Sequence, residues 1–293
     1  MTPPPETGRL AELGRFLEIQ NLGLNLSFAL AFLIVAAGGL PSARTFALVV
    51  VAFVAARNAG HSFNRWADRA QDRENPRTQR RALVTGRLSE GTALAFVAGN
   101  ALVLVVAAFL LNPLALGLAP VALALILGYS YTKRLGWGTT VYLGLVEAIT
   151  PAAAFVAVQG RLPIPAIGAI VGMLAWGTAF ETVHSLGDVG SDRALGLSSI
   201  PTRFGERASA RGVALLHAAA LGAFAVFGVA ERLTFPYYLA LGAIGLLAAR
   251  ADRRLIDHPS EVRAPFALHM VLGAVFLVGV VVAIFGPSPF GLG

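Results

Sequence analysis

The sequence predicts an all-α, multi-pass membrane protein with nine transmembrane helices around a central cavity, and three observations predict it. Of the 293 residues, 56% are hydrophobic and 13% charged, with a mean hydropathy of +0.69. A water-soluble domain carries about a quarter charged residues, and a disordered chain needs low hydrophobicity and high charge. Nine runs then have the roughly 20 mostly apolar residues that cross about 30 Å of hydrocarbon. Charge placement is the third observation. With the N-terminus cytoplasmic, 19 of the 23 Lys and Arg fall on the cytoplasmic side, Arg44, Arg161 and Arg232 fall opposite, and Arg57 lies within the second run. That asymmetry follows the positive-inside rule, and a miscount of one span would scramble it.

In chain order, the stretch MTPPPETGRLAELGRFLEIQ has no apolar core and reads as an interfacial segment rather than a cleavable signal peptide. The runs are 21–40, 45–63, 92–111, 114–132, 141–158, 164–183, 213–230, 233–249 and 266–285. The eighth is short and opens on a Phe-Pro-Tyr-Tyr cluster. Outer connections are a few residues long, whereas those after the second, sixth and eighth runs are long and carry most of the polar residues. No linker or low-complexity tract divides the chain, so residues 1–293 read as a single membrane domain. There is no cysteine, which excludes disulfides and thiolate chemistry. The net charge of +7 and pI of about 10.7 fit loops facing anionic lipid or an anionic substrate better than nucleic acid.

Two acidic ladders stand out. The second run ends in RNAGHSFNRWADRAQD, which spaces Asn64, Asp68 and Asp72 at i, i+4, i+8. These rungs stack on one helix face about 6 Å apart. The sixth run ends in ETVHSLGDVGSD, which gives His184, Asp188 and Asp192 the same spacing, 120 residues on. Each ladder leads into an Arg- and Pro-bearing segment, NPRTQRR in one case and SIPTRFG in the other. One such end alone reads as a solvated helix flank; two matching ones place carboxylate pairs at the same membrane depth. Like charges at i, i+4 repel, so converging rows need cations between them. Hard oxygen ligands suit Mg²⁺, which takes one or two carboxylates and completes its shell with water and phosphate. A diphosphate bridged by Mg²⁺ is the ligand that fits. Arg69, Arg73, Arg77, Arg80 and Arg81 follow the first ladder, and Arg193 and Arg203 the second. Lys133, the only lysine, stands beside Arg134 in YSYTKR, and such cations clamp phosphate oxygens.

These residues resemble the UbiA superfamily of intramembrane prenyltransferases. Its NxxxDxxxD signature is matched by Asn64, Asp68 and Asp72, preceded by the family-like Arg57 and Gly60. Its DxxxD is matched by Asp188 and Asp192, and its YxxxKR element by Tyr129, Lys133 and Arg134. The resemblance covers essentially the whole chain and is nearest the 4-hydroxybenzoate polyprenyltransferase-like branch. Departures at Arg80, Ala82, Glu181 and His184 bear on the acceptor more than on the metal.

The resemblance implies Mg²⁺-dependent transfer of a polyprenyl group from its diphosphate to an aromatic acid, 4-hydroxybenzoate or a dihydroxynaphthoate, in quinone synthesis. It implies metal ligation by Asp68, Asp72, Asp188 and Asp192, with Asn64 as a neutral ligand to metal or phosphate. Lys133, Arg134 and Arg193 would neutralise the leaving diphosphate. Arg57 would pair with an acceptor carboxylate, because a charge within a span is usually functional. Phe63, Tyr129, Tyr131 and Phe180 lie near the depth at which an allylic cation needs an aromatic wall. His61 and His184 read as packing or hydrogen-bonding residues; Glu147 and Glu181 require pairing or protonation within their spans. The expected setting is the cell inner membrane, with the lipid bilayer and the two substrates as partners. The competing class is a secondary transporter, although transporters generally hold their ions near the midplane rather than at one boundary. A haem-type acceptor is the other alternative.

Overall fold

The computed structural model describes residues 22–74, 78–194 and 196–287, with side chains throughout except at residues 22–25, 133–135, 263–268 and 270. The expected interfacial segment at residues 1–20 and Arg77 lie outside the described residues. Every regular element described is helical. In order these are α1 (Leu22–Ala37), α2 (Ala43–Ala67), α3 (Arg69–Glu74), α4 (Glu90–Leu111) and α5 (Pro113–Gly128). A 3₁₀ turn (Tyr129–Leu135) follows, then α6 (Gly138–Gln159), α7 (Ala166–Ala194), α8 (Ile200–Phe204), α9 (Glu206–Ala230), α10 (Phe235–Asp257) and α11 (Arg263–Phe285).

Each expected span falls on one long helix. Among the described residues, six helices are long and apolar enough to cross a bilayer: α2, α4, α5 with its 3₁₀ turn, α6, α7 and α9. In α1 and α11 the described side chains give apolar stretches at Leu26–Ala37 and Val271–Phe285. The last turns of α10 read ARADRRLID, so charge replaces apolar length there. Two segments expected as loops also contain helix. Past Ala67 the backbone bonds continue, Asp68 N–H to Asn64 O at 2.9 Å and Asp72 N–H to Asp68 O at 2.8 Å. α8 begins at Ser199, whose hydroxyl and backbone N–H both meet the Thr202 side chain, with Pro201 in its first turn.

The helices divide into a filled half and a hollow half. In the filled half, α1, α6, α7, α9, α10 and α11 enclose a core of aromatic rings. Phe28 lies 5.9 Å from Trp176 and 5.2 Å from Phe276, and Phe32 lies 5.8 Å from Phe227, centroid to centroid. Lipid tails are as apolar as leucine, so helices associate there through close packing at small residues. α7 does this on two sides. A Cβ on Gly144 of α6 would collide with the Leu174 carbonyl and the Thr178 hydroxyl, and one on Gly172 would enter the Phe224 ring.

One polar chain crosses this filled half, and nothing in the sequence pattern announces it. Asp252 of α10 accepts from Nδ1 of His217 on α9 at 2.9 and 3.0 Å, and His217 Nε2 lies 3.2 Å from Nε2 of His269 on α11. All three are buried. Trp176 covers both imidazoles, 5.1 Å from each centroid. A buried carboxylate keeps its charge cheaply only with such a donor, so the chain ties α9, α10 and α11 into one register.

Asp252→Ala removes the acceptor and leaves the His217 ring donor buried without it. The expected loss is about 2–4 kcal/mol, measured as a lower thermal midpoint in detergent. Gly144→Ala is expected to cost about 1–3 kcal/mol by overpacking the α6–α7 crossing. Gly222→Ala, where an added methyl meets nothing within 4 Å, is expected to be neutral or mildly stabilising in the same assay.

Candidate active site

The hollow half holds a cavity of about 580 Å³ between α2, α4, α5, α6 and α7. Its character changes along its length. One end is lined by Arg57, His61 and Asn64 of α2, by Arg81, by Tyr129, and by Glu181 and His184 of α7. Away from that end the wall becomes apolar and small-sided, with Ala52, Phe53, Leu104, Ala108, Ala119 and Val146 among its members. Asn64 and His184 are the first rungs of the two ladders, so both ladders begin at the polar end of this one cavity.

The two rows ride on helices that line the same cavity without packing on each other. α2 packs on α4 and α7 packs on α6 and α9, with the cavity between α2 and α7. Among the described residues no three His, Asp or Glu side chains converge closely enough to hold an ion by themselves. The rows also differ. Asp68 and Asp72 are buried, at 4% and 6% exposure, whereas Asp188 and Asp192 are half-buried. Asp72 is clamped by Arg81, whose Nη1 lies 2.8 and 2.7 Å from its two oxygens, and its carbonyl accepts from Thr78 at 3.1 Å. Arg81 therefore already supplies the counter-charge that a cation would supply.

The predicted cations disperse. Arg69 donates to Glu90 at 2.8 Å and lies over Trp66, which donates to the same carboxylate at 3.1 Å, so it staples α3 to α4. Arg193 is exposed and 3.3 Å from Glu206. Arg73 and Arg80 are exposed. Lys133 and Arg134 fall in the 3₁₀ turn, with side chains outside the described residues. The aromatic candidates divide as well. Tyr129 and Phe180 line the cavity, whereas Phe63 and Tyr131 pack on each other 5.8 Å apart, away from its wall.

A hydrogen-bonded group at the mouth was not singled out from sequence as a unit. Tyr129 donates its hydroxyl to Glu181 Oε1 at 2.9 Å, and the other Glu181 oxygen lies 3.9 Å from His184 Nδ1. The ring of His184 lies parallel to Phe180, 6.4 Å away. Spacing could have placed Glu181 and His184 on one face at i, i+3; only tertiary structure brings Tyr129 to them.

Carboxylates at one end of an apolar cavity, with arginine among them, form an amphipathic receptacle for a charged head and an apolar tail. The chain matches the UbiA prenyltransferase family model over residues 25–272. It belongs to that family. It is a prenyltransferase accordingly. A protein of Nitrosococcus oceani named 4-hydroxybenzoate octaprenyltransferase is 32% identical over 247 residues, 84% of this chain and 86% of that one. One of the same name from Cupriavidus necator is 32% identical over 250 residues, 85% and 87% of the two chains. Among solved structures, a UbiA homolog from Aeropyrum pernix superposes with a TM-score of 0.81 at 28% identity, covering 90% of this chain and 98% of that one. A UbiA homolog from Archaeoglobus fulgidus bound to DMAPP and Mg²⁺ has a TM-score of 0.67 at 16% identity, covering 91% and 98%, a likeness of fold alone.

Tyr129→Phe deletes the donor to Glu181. A hydrogen bond to a charged group contributes about 1.5–3 kcal/mol, so a lowered thermal midpoint is expected, with Glu181→Gln losing less because its amide oxygen still accepts.

Proposed function

We propose that this UbiA-family chain transfers a polyprenyl group from its diphosphate to a hydroxylated aromatic acid. 4-hydroxybenzoate is the acceptor the relatives' names favour and a dihydroxynaphthoate the second choice, as a step of quinone synthesis. The observation that carries the reading is the cavity itself, whose polar end joins two acidic ladders while its remainder is mostly apolar. A diphosphate seated at the polar end leaves its hydrocarbon tail only one direction, into the apolar length. In this reading the remaining three helices also span the bilayer, giving nine spans, with the ladders at the cytoplasmic face of the inner membrane. The 19-to-3 distribution of basic residues supports that orientation.

Mg²⁺ fits the residues present. Buried Asp68 and Asp72, together with Asp188 and Asp192 across the cavity, are hard oxygen donors. Mg²⁺ needs only one or two of them, since water and phosphate complete its shell. When bound, it would neutralise charge building on the leaving group. Asn64 would add a neutral oxygen to metal or phosphate. Arg81 would exchange Asp72 for phosphate, and Arg193 would leave its surface pair with Glu206 to join Lys133 and Arg134 on the same oxyanions. Arg57, deeper on α2, would hold the acceptor's carboxylate. Phe180 and Tyr129 would face the allylic carbon, exclude water and offer π-electrons to its developing charge. A transporter would move an ion or solute unchanged, and chemistry separates the two readings.

Detergent-purified protein supplied with octaprenyl diphosphate, 4-hydroxybenzoate and Mg²⁺ is expected to give the prenylated acid, and none with EDTA. Asp68→Ala and Asp188→Ala are each expected to lower turnover at least 100-fold, about 3 kcal/mol of transition-state stabilisation. Near-normal turnover in both would refute the site assignment.

A further inference from the structure

We propose that Glu147 is a catalytic residue that takes the acceptor's phenolic proton as the ring attacks the allylic carbon. The inference rests on the prenyl-transfer reading above and adds the base that reading lacks.

Glu147 stands in the middle of α6, in the apolar run GLVEAIT, where an ionisable side chain is rare and usually marks a functional site. It lines the cavity and is only half-buried. Its stem lies on Gly177 of α7, where an added Cβ would fall 2.8 Å from Glu147 Cγ and 3.1 Å from Gly144 Cα. Two glycines thus make room for this one side chain at the α6–α7 crossing. Pro151, four residues on, has no N–H to close on the Glu147 carbonyl, so the continuous helix lacks one ladder hydrogen bond at this position.

Depth places Glu147 opposite Arg57. Gly177 precedes His184 by seven residues, and Arg57 precedes Asn64 by seven. At 1.5 Å per residue both lie ~10 Å beyond the first rungs of the ladders. An acceptor with its carboxylate on Arg57 would present its hydroxyl across the cavity from that arginine, to the wall that carries Glu147. The other polar groups around the cavity are His61, Asn64 and Arg65 on α2, Arg81, Tyr129 at the end of α5, Thr150 on α6, and Glu181 and His184 on α7. Tyr129, Glu181 and His184 are grouped with one another one turn nearer the ladders.

The step balances. The phenolic proton passes to the Glu147 carboxylate, an oxygen lone pair moves into the ring, and the carbon ortho to oxygen bonds to the allylic carbon. The allylic C–O bond breaks with its electron pair leaving on the diphosphate. The proton on the alkylated ring carbon then passes to the diphosphate, the C–H pair restores aromaticity, and Glu147 returns its proton to the phenolic oxygen.

The experiment compares wild type, Glu147→Gln and Glu147→Asp with 4-hydroxybenzoate and with 4-aminobenzoate, whose nitrogen lone pair activates the ring without losing a proton. Glu147→Gln is expected to lower kcat with the hydroxy acid about 100-fold, the usual contribution of a positioned base, and to leave KM for the diphosphate within 3-fold. Its remaining rate is expected to climb with pH, as solvent supplies the phenolate a phenol reaches only near its pKa of about 10. With the amino acid the loss is expected to stay within 3-fold, and Glu147→Asp should recover part of the hydroxy-acid rate. An unchanged kcat, or a loss without the altered pH profile, would overturn the assignment while wild-type activity keeps the prenyl-transfer reading. A wild type that forms no prenylated product would sink both.

Discussion

Every carboxylate buried in this apolar bundle has to be matched by a donor or a cation, and that requirement organises the molecule. Asp72 is held by Arg81, Glu181 by Tyr129 and Asp252 by His217, each at hydrogen-bond distance. Two of the three pairings join segments far apart in sequence, and Asp72 reaches Arg81 nine residues on, because a helix in lipid cannot satisfy a side-chain charge from its own backbone. They do different work. Asp252–His217 lies among aromatic rings and fixes helix register. Asp72–Arg81 and Glu181–Tyr129 stand at the mouth of a cavity, where a ligand can compete for the same groups.

Side-chain size explains why the cavity lies where it does. The filled half brings Phe28, Phe32, Trp176, Phe224, Phe227, Tyr237 and Phe276 onto facing helices, where they form one buried cluster. The hollow half lines α2, α5 and α6 largely with alanine, so those helices meet without filling the space between them. In water such a void would collapse or flood. In a bilayer it is the shape and chemistry of a lipid tail, which is what a prenyl donor presents.

The parts of this architecture that obey a period were legible from the chain. Apolar runs of spanning length located the long helices, and the i, i+4, i+8 spacing located the ladders, because both are properties of one helix. α10 carries the charged end ARADRRLID, which a count of apolar runs passes over. Tertiary matches were not legible. Arg69 and Arg193 looked like phosphate ligands beside the ladders, yet each closes on a glutamate, Glu90 or Glu206, that sequence gave no reason to pair with it. The His217–Asp252–His269 chain was invisible because its members come from three helices with no shared spacing. Arg81 was one arginine among several until its geometry set it on Asp72.

The two ladders share a spacing and differ in mechanics, and the difference suits a reaction that begins by binding an anion and ends by releasing another. Asp68 is the C-cap of α2, at φ −87° and ψ 0°, so the first row is divided between α2 and α3. It is buried, and its last rung is held by an arginine from the following segment. The second row rides on α7, a single helix of 29 residues braced by α6 and α9, and is half open. Two equally rigid rows of bare carboxylates would repel each other and grip a diphosphate–metal unit too tightly to release it. A braced open row facing a buried row already neutralised by Arg81 avoids both costs. In the proposed reaction, charge brought by the ligand would replace charge supplied by the protein, and on departure the guanidinium would return to its carboxylate.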